Sequence, residues 1–285
     1  MKLIFGLLTV IGCVFGGYVL SHGDLLTLYQ PFELLIILGG ATGAFVIANP
    51  PKVIFASLKG LGRLFKGNLY KKQTFMDLLS LMFALFSKAR KEGLMALEAD
   101  IDEPEQSEIF KEYPALLKNH HLIDFICDYL RLMVGGNMNA FELESLMDLE
   151  LETHHHELAE CSHAVTTMSD GLPGFGIVAA VMGVVITMGF ISEPPEVLGA
   201  HVGAALVGTF LGILLAYGFV GPMANAMAAQ EAEESKLFEC AKICIMATLN
   251  GYTPQIAVEF GRKALFSDLR PGFLELEEHI KGQKK

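Results

Sequence analysis

Four long apolar stretches, separated by polar segments, dominate the pattern of the sequence. They contain no Asp, Glu, Lys or Arg and extend over Leu3–Leu20, Leu34–Asn49, Leu172–Ile191 and Val197–Gln230. Because an α-helix needs about 20 apolar residues to cross the hydrocarbon core of a bilayer, each stretch predicts one membrane span. The last stretch is longer than a bilayer requires, so we expect its span at about Gly203–Pro222 and a helix that continues beyond it.

Helical periodicity continues in the polar segments. Apolar residues recur at helical spacing within Tyr70–Glu92 and again within His121–Met133. The tripeptide Gly135-Gly136-Asn137 predicts the end of the second of these helices.

Two of the spans are predicted to extend beyond the bilayer. The acidic segment Asn139–Asp170 runs as a helix into the third span, and Pro222–Leu249 continues the fourth until the turn signals of residues 250–254. No segment has a persuasive strand pattern. The predicted fold is therefore an all-α polytopic membrane protein with four transmembrane helices, two of them extended into a helical cytoplasmic domain.

Composition and charge narrow the class of protein. Of the 285 residues, 52% are hydrophobic and 19% are charged, and the mean hydropathy is +0.43. These values exclude a disordered chain, and the concentration of the hydrophobic residues in long runs argues against an ordinary soluble domain. The net charge of -11 makes nucleic acid an improbable partner.

The basic residues predict the orientation in the membrane. All Lys and Arg residues lie outside the four stretches and outside the connections 21–32 and 192–200. The positive-inside rule then places both termini and the large middle segment in the cytoplasm. We expect spans in 1–50 and 171–222, and cytoplasmic helices in 51–170 and 223–285.

The N-terminus leaves one alternative open. Lys2 followed by an apolar run resembles a signal peptide, and Val10–Cys13 loosely resembles a lipoprotein cleavage site. Because the apolar run continues past Cys13 to Leu20, we favour a retained span, and the mass of the intact protein would decide.

No motif for an enzyme, a cofactor or a metal is present in the sequence. Phosphate-binding loops, Ser-His-Asp sets and zinc spacings are missing. Three consecutive imidazoles at residues 154–156 point in different directions on a helix, so we interpret them as a solvated face. Cys240 and Cys244 lie one turn apart and are interpreted as free thiols rather than metal ligands.

The spans lack the acid that ion transport normally requires. The third stretch has no ionisable residue, and the fourth has only His201 and Tyr217. Pumps and proton channels usually carry a carboxylate or histidine relay within the membrane. Either this chain moves no ions, or another chain supplies the acid.

Two prolines lie near the ends of the third and fourth spans that we expect to face the cytoplasm. Pro173 is expected in the first turn of a helix that Ser169 or Asp170 caps. Pro222 lies inside an apparently continuous helix, where it removes a hydrogen bond and favours a kink. From the residues alone, each proline is either an ordinary boundary or kink, or a hinge.

Small residues spaced four apart predict sites of close helix packing in lipid. Such glycine pairs occur in three of the stretches: Gly12 and Gly16, Gly39 and Gly43, Gly208 and Gly212.

The same stretches resemble the MotA family of flagellar motor stator subunits. Leu172–Gly183 and Val207–Gly218 are similar to the third and fourth spans of that family. Further similar segments follow the family order along nearly the whole chain: Tyr29–Pro31, Met76–Leu79, Asn250–Tyr252, Ala257–Lys263 and Arg270–Pro271.

The resemblance implies a membrane assembly in which another chain supplies the acid. Subunits of the MotA family surround the single membrane helices of MotB, as five copies around two partner chains in the bacterial inner membrane. A membrane Asp of MotB carries the ion, and the turning ring pushes the rotor protein FliG. The implied protein is not an enzyme and uses no cofactor.

The resemblance also implies roles for individual residues. Pro173 and Pro222 match the prolines that couple ion passage to movement, and Asp170 matches the acid at the cytoplasmic mouth of the channel. Arg90 and Glu98 match the charged pair that contacts the rotor.

The lining of the channel bears on the identity of the ion. Ala180, Thr209 and Tyr217 are expected to line it, and sodium-driven relatives have a Thr where this sequence has Ala180. Na⁺ needs oxygen ligands to replace its hydration shell, whereas a proton needs only the carboxylate and water. We therefore expect H⁺, with a sodium-driven stator as the alternative.

Three other classes of protein compete with this interpretation. An ExbB/TolQ-type energiser of the cell envelope has three spans rather than four. A solute transporter needs a polar midplane site or broken helices. A passive scaffold explains the packing glycines but leaves the paired prolines unexplained.

Overall fold

The computed structural model describes residues 2–65, 67, 70–136 and 138–282, and no strand occurs within those ranges. The α-helices are α1 Lys2–Leu20, α2 Pro31–Ala48, α3 Pro51–Leu64, α4 Lys72–Glu92, α5 Glu98–Asp102, α6 Glu108–Lys111, α7 Pro114–Leu117, α8 His120–Gly135, α9 Ala140–Met188, α10 Pro195–Ile213, α11 Gly221–Leu249, α12 Pro254–Ala264 and α13 Phe273–Gly282. Short 3₁₀ helices cover Leu25–Leu28 and Leu94–Leu97, and a π-helix, here the π segment, covers Leu214–Val220.

The four predicted spans are confirmed. Helical stretches long and apolar enough to cross a membrane extend over Lys2–Leu20, Leu25–Ala48, Ala140–Met188 and Pro195–Leu249. The third and fourth continue far beyond the length that a bilayer needs, as predicted. The all-α class is therefore correct, with two spans extended as long helices.

The ends of the polar helices follow the sequence signals. α8 ends at Gly135, and Gly136 has a left-handed backbone with φ of 63°. Asn137, which belongs to the same predicted stop, lies outside the described residues. α11 ends at Leu249, and Gly251 has φ of 82° directly before α12 begins.

The predicted cap of the third span is wrong. α9 passes through Ser169, Asp170 and Pro173 without interruption, so Pro173 lies inside the helix rather than in its first turn. A helix that is already formed upstream has no free N–H groups at this point, and a cap has nothing to satisfy.

The described residues form two compact units. The first unit contains Met1–Gly67 and Glu157–Ala229, and the second contains Asn68–His156 and Gln230–Lys285. The first unit contains α1, α2 and α10, the part of α9 from Glu157 onwards and the part of α11 up to Ala229. It also contains α3, an amphipathic helix that the sequence analysis did not identify.

The second unit has a continuous apolar core. Buried residues of α4 and α8, such as Phe86 and Phe125, line this core, and α12 packs against α4. Cys240 and Cys244 lie in this core, where the absence of a side chain at Gly261 lets α12 approach them. The hydrogen bond with Cys244 and, after it, burial raise the pKa of the Cys240 thiol, which keeps it protonated.

Arg262 joins α12 to the chain that leads into α13. Its Nε and Nη2 donate to the two carboxylate oxygens of Glu259 at 2.7 and 2.5 Å, and its Nη1 donates to the carbonyl of Pro271 at 2.8 Å. These hydrogen bonds lower the pKa of Glu259 below its ordinary value of 4.5. The charged pair therefore stabilises the fold above that value, and this contribution is lost as the pH falls through the lowered pKa.

We expect Arg262→Gln to lower the free energy of unfolding at neutral pH by about 2 kcal/mol, because charged hydrogen bonds to a partly buried carboxylate are lost. Thermal unfolding of the purified protein in detergent measures the change. The matched control is Lys263→Gln, which removes an exposed positive charge from the same helix. The difference between parent and Arg262→Gln should narrow in acid, where Glu259 is protonated. Equal melting temperatures at neutral pH would contradict the prediction.

Candidate functional site

The third and fourth spans meet through their backbones. A Cβ atom on Gly176 would lie 2.9 Å from the carbonyl oxygen of Gly208, and one on Gly212 would lie 2.8 Å from that of Leu172. No real side chain tolerates such distances, so glycine at these positions permits the helices to approach. The crossing of α9 and α10 at Gly176, Gly208 and Gly212 is the centre of the candidate site.

Only one of the predicted glycine pairs has this role within the first unit. Gly208 and Gly212 contact α9, whereas a Cβ on Gly12, Gly16, Gly39 or Gly43 would meet no atom within 4 Å. Sequence spacing also missed Gly40, where a side chain would overlap the ring of Phe175.

The fourth span changes its helical pattern directly before Pro222. Residues Leu214–Val220 form the π segment, and the N–H of Gly221 donates to the carbonyl of Ala216, five residues earlier. Pro222 has no N–H to donate. A wider π turn therefore lies in the residues directly before Pro222, where the sequence predicted a kink.

Ser169 links the third span to this π turn. Its side chain is 2% exposed, and its Oγ donates to the carbonyl of Ala216 at 3.0 Å. A Cβ on Gly221 would lie 3.0 Å from the Ala216 oxygen and 3.1 Å from Ser169 Oγ, so a side chain there would crowd this hydrogen bond. The sequence analysis considered Ser169 only as a cap, since nothing in the sequence identified its partner 47 residues away.

The structure brings Asp170, Pro173 and Pro222 to this junction. Asp170 and Pro222 are exposed and adjoin Ser169 and Gly221, the two residues in close contact. Pro173 is half-buried and follows Leu172, whose carbonyl faces Gly212.

The three residues predicted to line the channel divide into two groups. The backbone nitrogen of Ala180 lies 3.3 Å from a Cβ built on Gly208, and Thr209 Cα lies 3.4 Å from one built on Gly176. Both residues therefore flank the glycine crossing. Tyr217 lies in the π segment, where its side chain is exposed.

Arg90 and Glu98 belong to the second unit, whereas the glycine crossing belongs to the first. Arg90 is in the last turn of α4 and Glu98 is the first residue of α5, and both side chains are exposed. They take part in no ion pair found among the described residues.

Lys88, Asp100 and Ser107 fix the turn that carries Arg90 and Glu98. Lys88 Nζ donates to one carboxylate oxygen of Asp100 at 2.7 Å, and Ser107 Oγ donates to the other at 2.6 Å. Asp100 and Ser107 are buried, so the Asp100 carboxylate is shielded from water. Sequence reasoning missed this support, because a buried Asp in an acidic segment gives no local signal.

The consecutive histidines form contacts with different partners. The ring of His154 packs against Phe238 with centroids 4.4 Å apart, and Nδ1 of His155 lies 3.3 Å from Ser235 Oγ. Groups of three or more His, Cys, Asp or Glu residues that could hold a metal are not found within the described residues.

Comparison with known proteins identifies the family. Residues 4–93 match the family described as "Motility protein A N-terminal", and residues 118–240 match the "MotA/TolQ/ExbB proton channel family". Motility protein A of Escherichia coli (strain K12) is 50% identical over 284 residues, covering 100% of this chain and 96% of that protein.

Two solved structures have the same fold. The chain is similar to one in the C. jejuni MotAB structure, with a TM-score of 0.78, 20% identity and coverage of 94% of this chain and 96% of that one. For the flagellar MotAB stator complex from Bacillus subtilis the TM-score is 0.76, the identity is 26% and the coverage is 95% and 98%. Full-length identity, two family matches and the shared fold agree: the chain belongs to the motility protein A family of flagellar stator proton-channel subunits.

Proposed function

We propose that this chain is the stator subunit that, together with a MotB partner, conducts protons across the inner membrane and converts their flow into torque on the rotor protein FliG. The observation that carries the proposal is the junction of Ser169, Ala216, Gly221 and Pro222, which lies beside spans that contain no acid. A conducting pathway needs a titratable group in the membrane, and a MotB carboxylate supplies the one that this chain lacks.

We propose that the prolines and Asp170 couple proton passage to movement. The π turn and the Ser169 hydrogen bond hold the backbone before Pro222 in a pattern that can revert to an α-helix, because the two patterns differ by a shift of backbone hydrogen bonds. When the partner's acid changes charge next to the glycine crossing, this junction repacks. The long helices α9 and α11 then carry the change to the second unit.

We propose five copies of this chain around two MotB chains, with both termini and segments 51–170 and 223–285 in the cytoplasm. The distribution of Lys and Arg supports this orientation. The absence of a hydroxyl at Ala180, which flanks the crossing, supports H⁺ over Na⁺ as the transported ion. The match of residues 4–93 to the motility protein A N-terminal family supports the stator over an ExbB/TolQ energiser.

Cytoplasmic pH tests the proposed conduction. Cells that co-express this chain with an unplugged MotB partner should acidify when they are given an inward proton gradient. Cells with either chain alone, or with the membrane Asp of the partner changed to Asn, should not. Sodium entry without acidification in the intact complex would replace the proton by Na⁺, and entry of neither ion would contradict the proposed function.

Charge reversal tests the proposed contact of Arg90 and Glu98 with the rotor. Arg90→Glu combined with Glu98→Lys keeps the net charge but opposes the charges on the rotor, so docking should weaken roughly five-fold or more. Torque measured on tethered cells should fall, while the amount of complex with MotB stays unchanged.

The matched control for that pair is Glu112→Lys with Lys118→Glu, two exposed residues of the same unit. This exchange also preserves net charge, and we expect normal torque. Normal torque in the Arg90→Glu, Glu98→Lys variant would contradict the assigned contact.

A further inference from the structure

α3 begins directly after a membrane span. Only Asn49 and Pro50 separate it from the end of α2 at Ala48. Its sequence, PKVIFASLKGLGRL, contains three basic residues and no acid. A basic amphipathic helix at the end of a span is typical of segments that lie in the interface between bilayer and water.

One face of α3 is fixed to the first unit. Val53 is buried with Phe45 and Ala164, and Leu64 is buried with Val165 and Met227. The Oγ of Ser57 also donates to the carbonyl of Cys161 at 3.3 Å. These contacts fix the rotation of α3 about its axis, so its other faces have defined directions.

A second face exposes large apolar side chains. Phe55 is 72% exposed, Leu58 58% and, just beyond the helix, Phe65 55%. The opposite face packs against the protein, whereas these side chains leave more than half of their surface uncovered in the described part of the unit. Exposed apolar area of this kind indicates contact with lipid or with another molecule.

A third face is a basic stripe formed by Lys52, Lys59 and Arg63. At 3.6 residues per turn, the three positions fall within about 40° around the helix. Lys52 pairs with Glu157 at 2.9 Å, which raises its pKa. Lys59 and Arg63 are exposed, and no ion pair to either is found among the described residues.

We propose that α3 lies in the membrane interface, with Phe55, Leu58 and Phe65 in the acyl boundary, and that Lys59 and Arg63 bind the headgroups of anionic phospholipids. Charge complementarity and the start of α3 at the end of a span favour lipid over a protein occupant. Each basic side chain near an anionic leaflet strengthens binding to that surface about five-fold. The anionic phosphates thereby hold α3, and through its buried face the first unit, at a fixed depth.

Lipid quenching tests this proposal directly, because the chain contains no Trp. Leu58→Trp places a single fluorophore on the apolar face of α3. The full-length complex with a Trp-free MotB partner is reconstituted in nanodiscs of phosphatidylcholine and phosphatidylglycerol. In one set of nanodiscs only the acyl chains of phosphatidylglycerol carry bromine. In the other set an equal mole fraction of the lipid is brominated, but the bromine is on phosphatidylcholine. Brominated phosphatidylglycerol should quench the Trp fluorescence at least about two-fold more strongly than brominated phosphatidylcholine.

The variant Lys59→Gln with Arg63→Gln should remove this preference while leaving quenching itself intact. Its matched control, Lys91→Gln with Lys118→Gln, removes two exposed positive charges from the second unit and should preserve the preference. Leu149→Trp, an exposed position in the second unit, should not be quenched by either lipid.

Three outcomes would overturn the proposal. Equal quenching by both lipids in the parent would exclude selection of anionic headgroups. A preference that survives Lys59→Gln with Arg63→Gln would exclude these residues as its source. Absence of quenching at position 58 would show that α3 is covered by protein, such as a second copy of this chain. Enhanced phosphatidylglycerol quenching that depends on Lys59 and Arg63 would support it.

Discussion

A bilayer offers no hydrogen-bond partners to backbone groups that leave the α-helical pattern, and Pro222 imposes this constraint on the fourth span. Directly before this proline, the carbonyl of Ala216 is paired within the protein. Gly221 donates to the carbonyl of Ala216 in a π turn, and Ser169 of the third span donates to the same oxygen. The two spans can provide this arrangement only because glycines at 176, 208 and 212 bring their backbones into contact. The position of every proposed coupling residue depends on that contact.

This arrangement separates the chemistry of the ion from the mechanics of the subunit. The spans of this chain contain no acid, so the charge that changes during transport belongs to the MotB partner in our account. In our proposal this chain contributes a backbone junction that can change its hydrogen-bond pattern and two helices, α9 and α11, that continue beyond the length a bilayer needs. The charged turn at Arg90 and Glu98 is supported separately by the ion pair of Lys88 with the buried Asp100.

Apolar runs and helical spacing made the fold predictable from the sequence. The site was not predictable in the same way, because it is formed by contacts between residues far apart in the chain. Charge-free runs gave the four spans, and the turn signals after Leu249 gave the end of α11. The residues alone identified Pro173 and Pro222, and the resemblance gave them a role, but neither showed their local contacts. The Ser169 hydrogen bond and the glycine crossing join residues far apart in sequence, so no local pattern reports them. α3 was missed because its apolar positions serve two faces rather than one stripe.

The central claim is that the junction before Pro222 repacks when the partner's acid changes charge. Amide hydrogen exchange of residues 214–222 tests it in complexes assembled with the native MotB partner and with its membrane Asp changed to Asn, which mimics the protonated acid. Our account predicts that exchange in 214–222 differs between the two complexes, while exchange in α12 of the second unit stays the same. Identical exchange in 214–222, with both complexes intact, would contradict it.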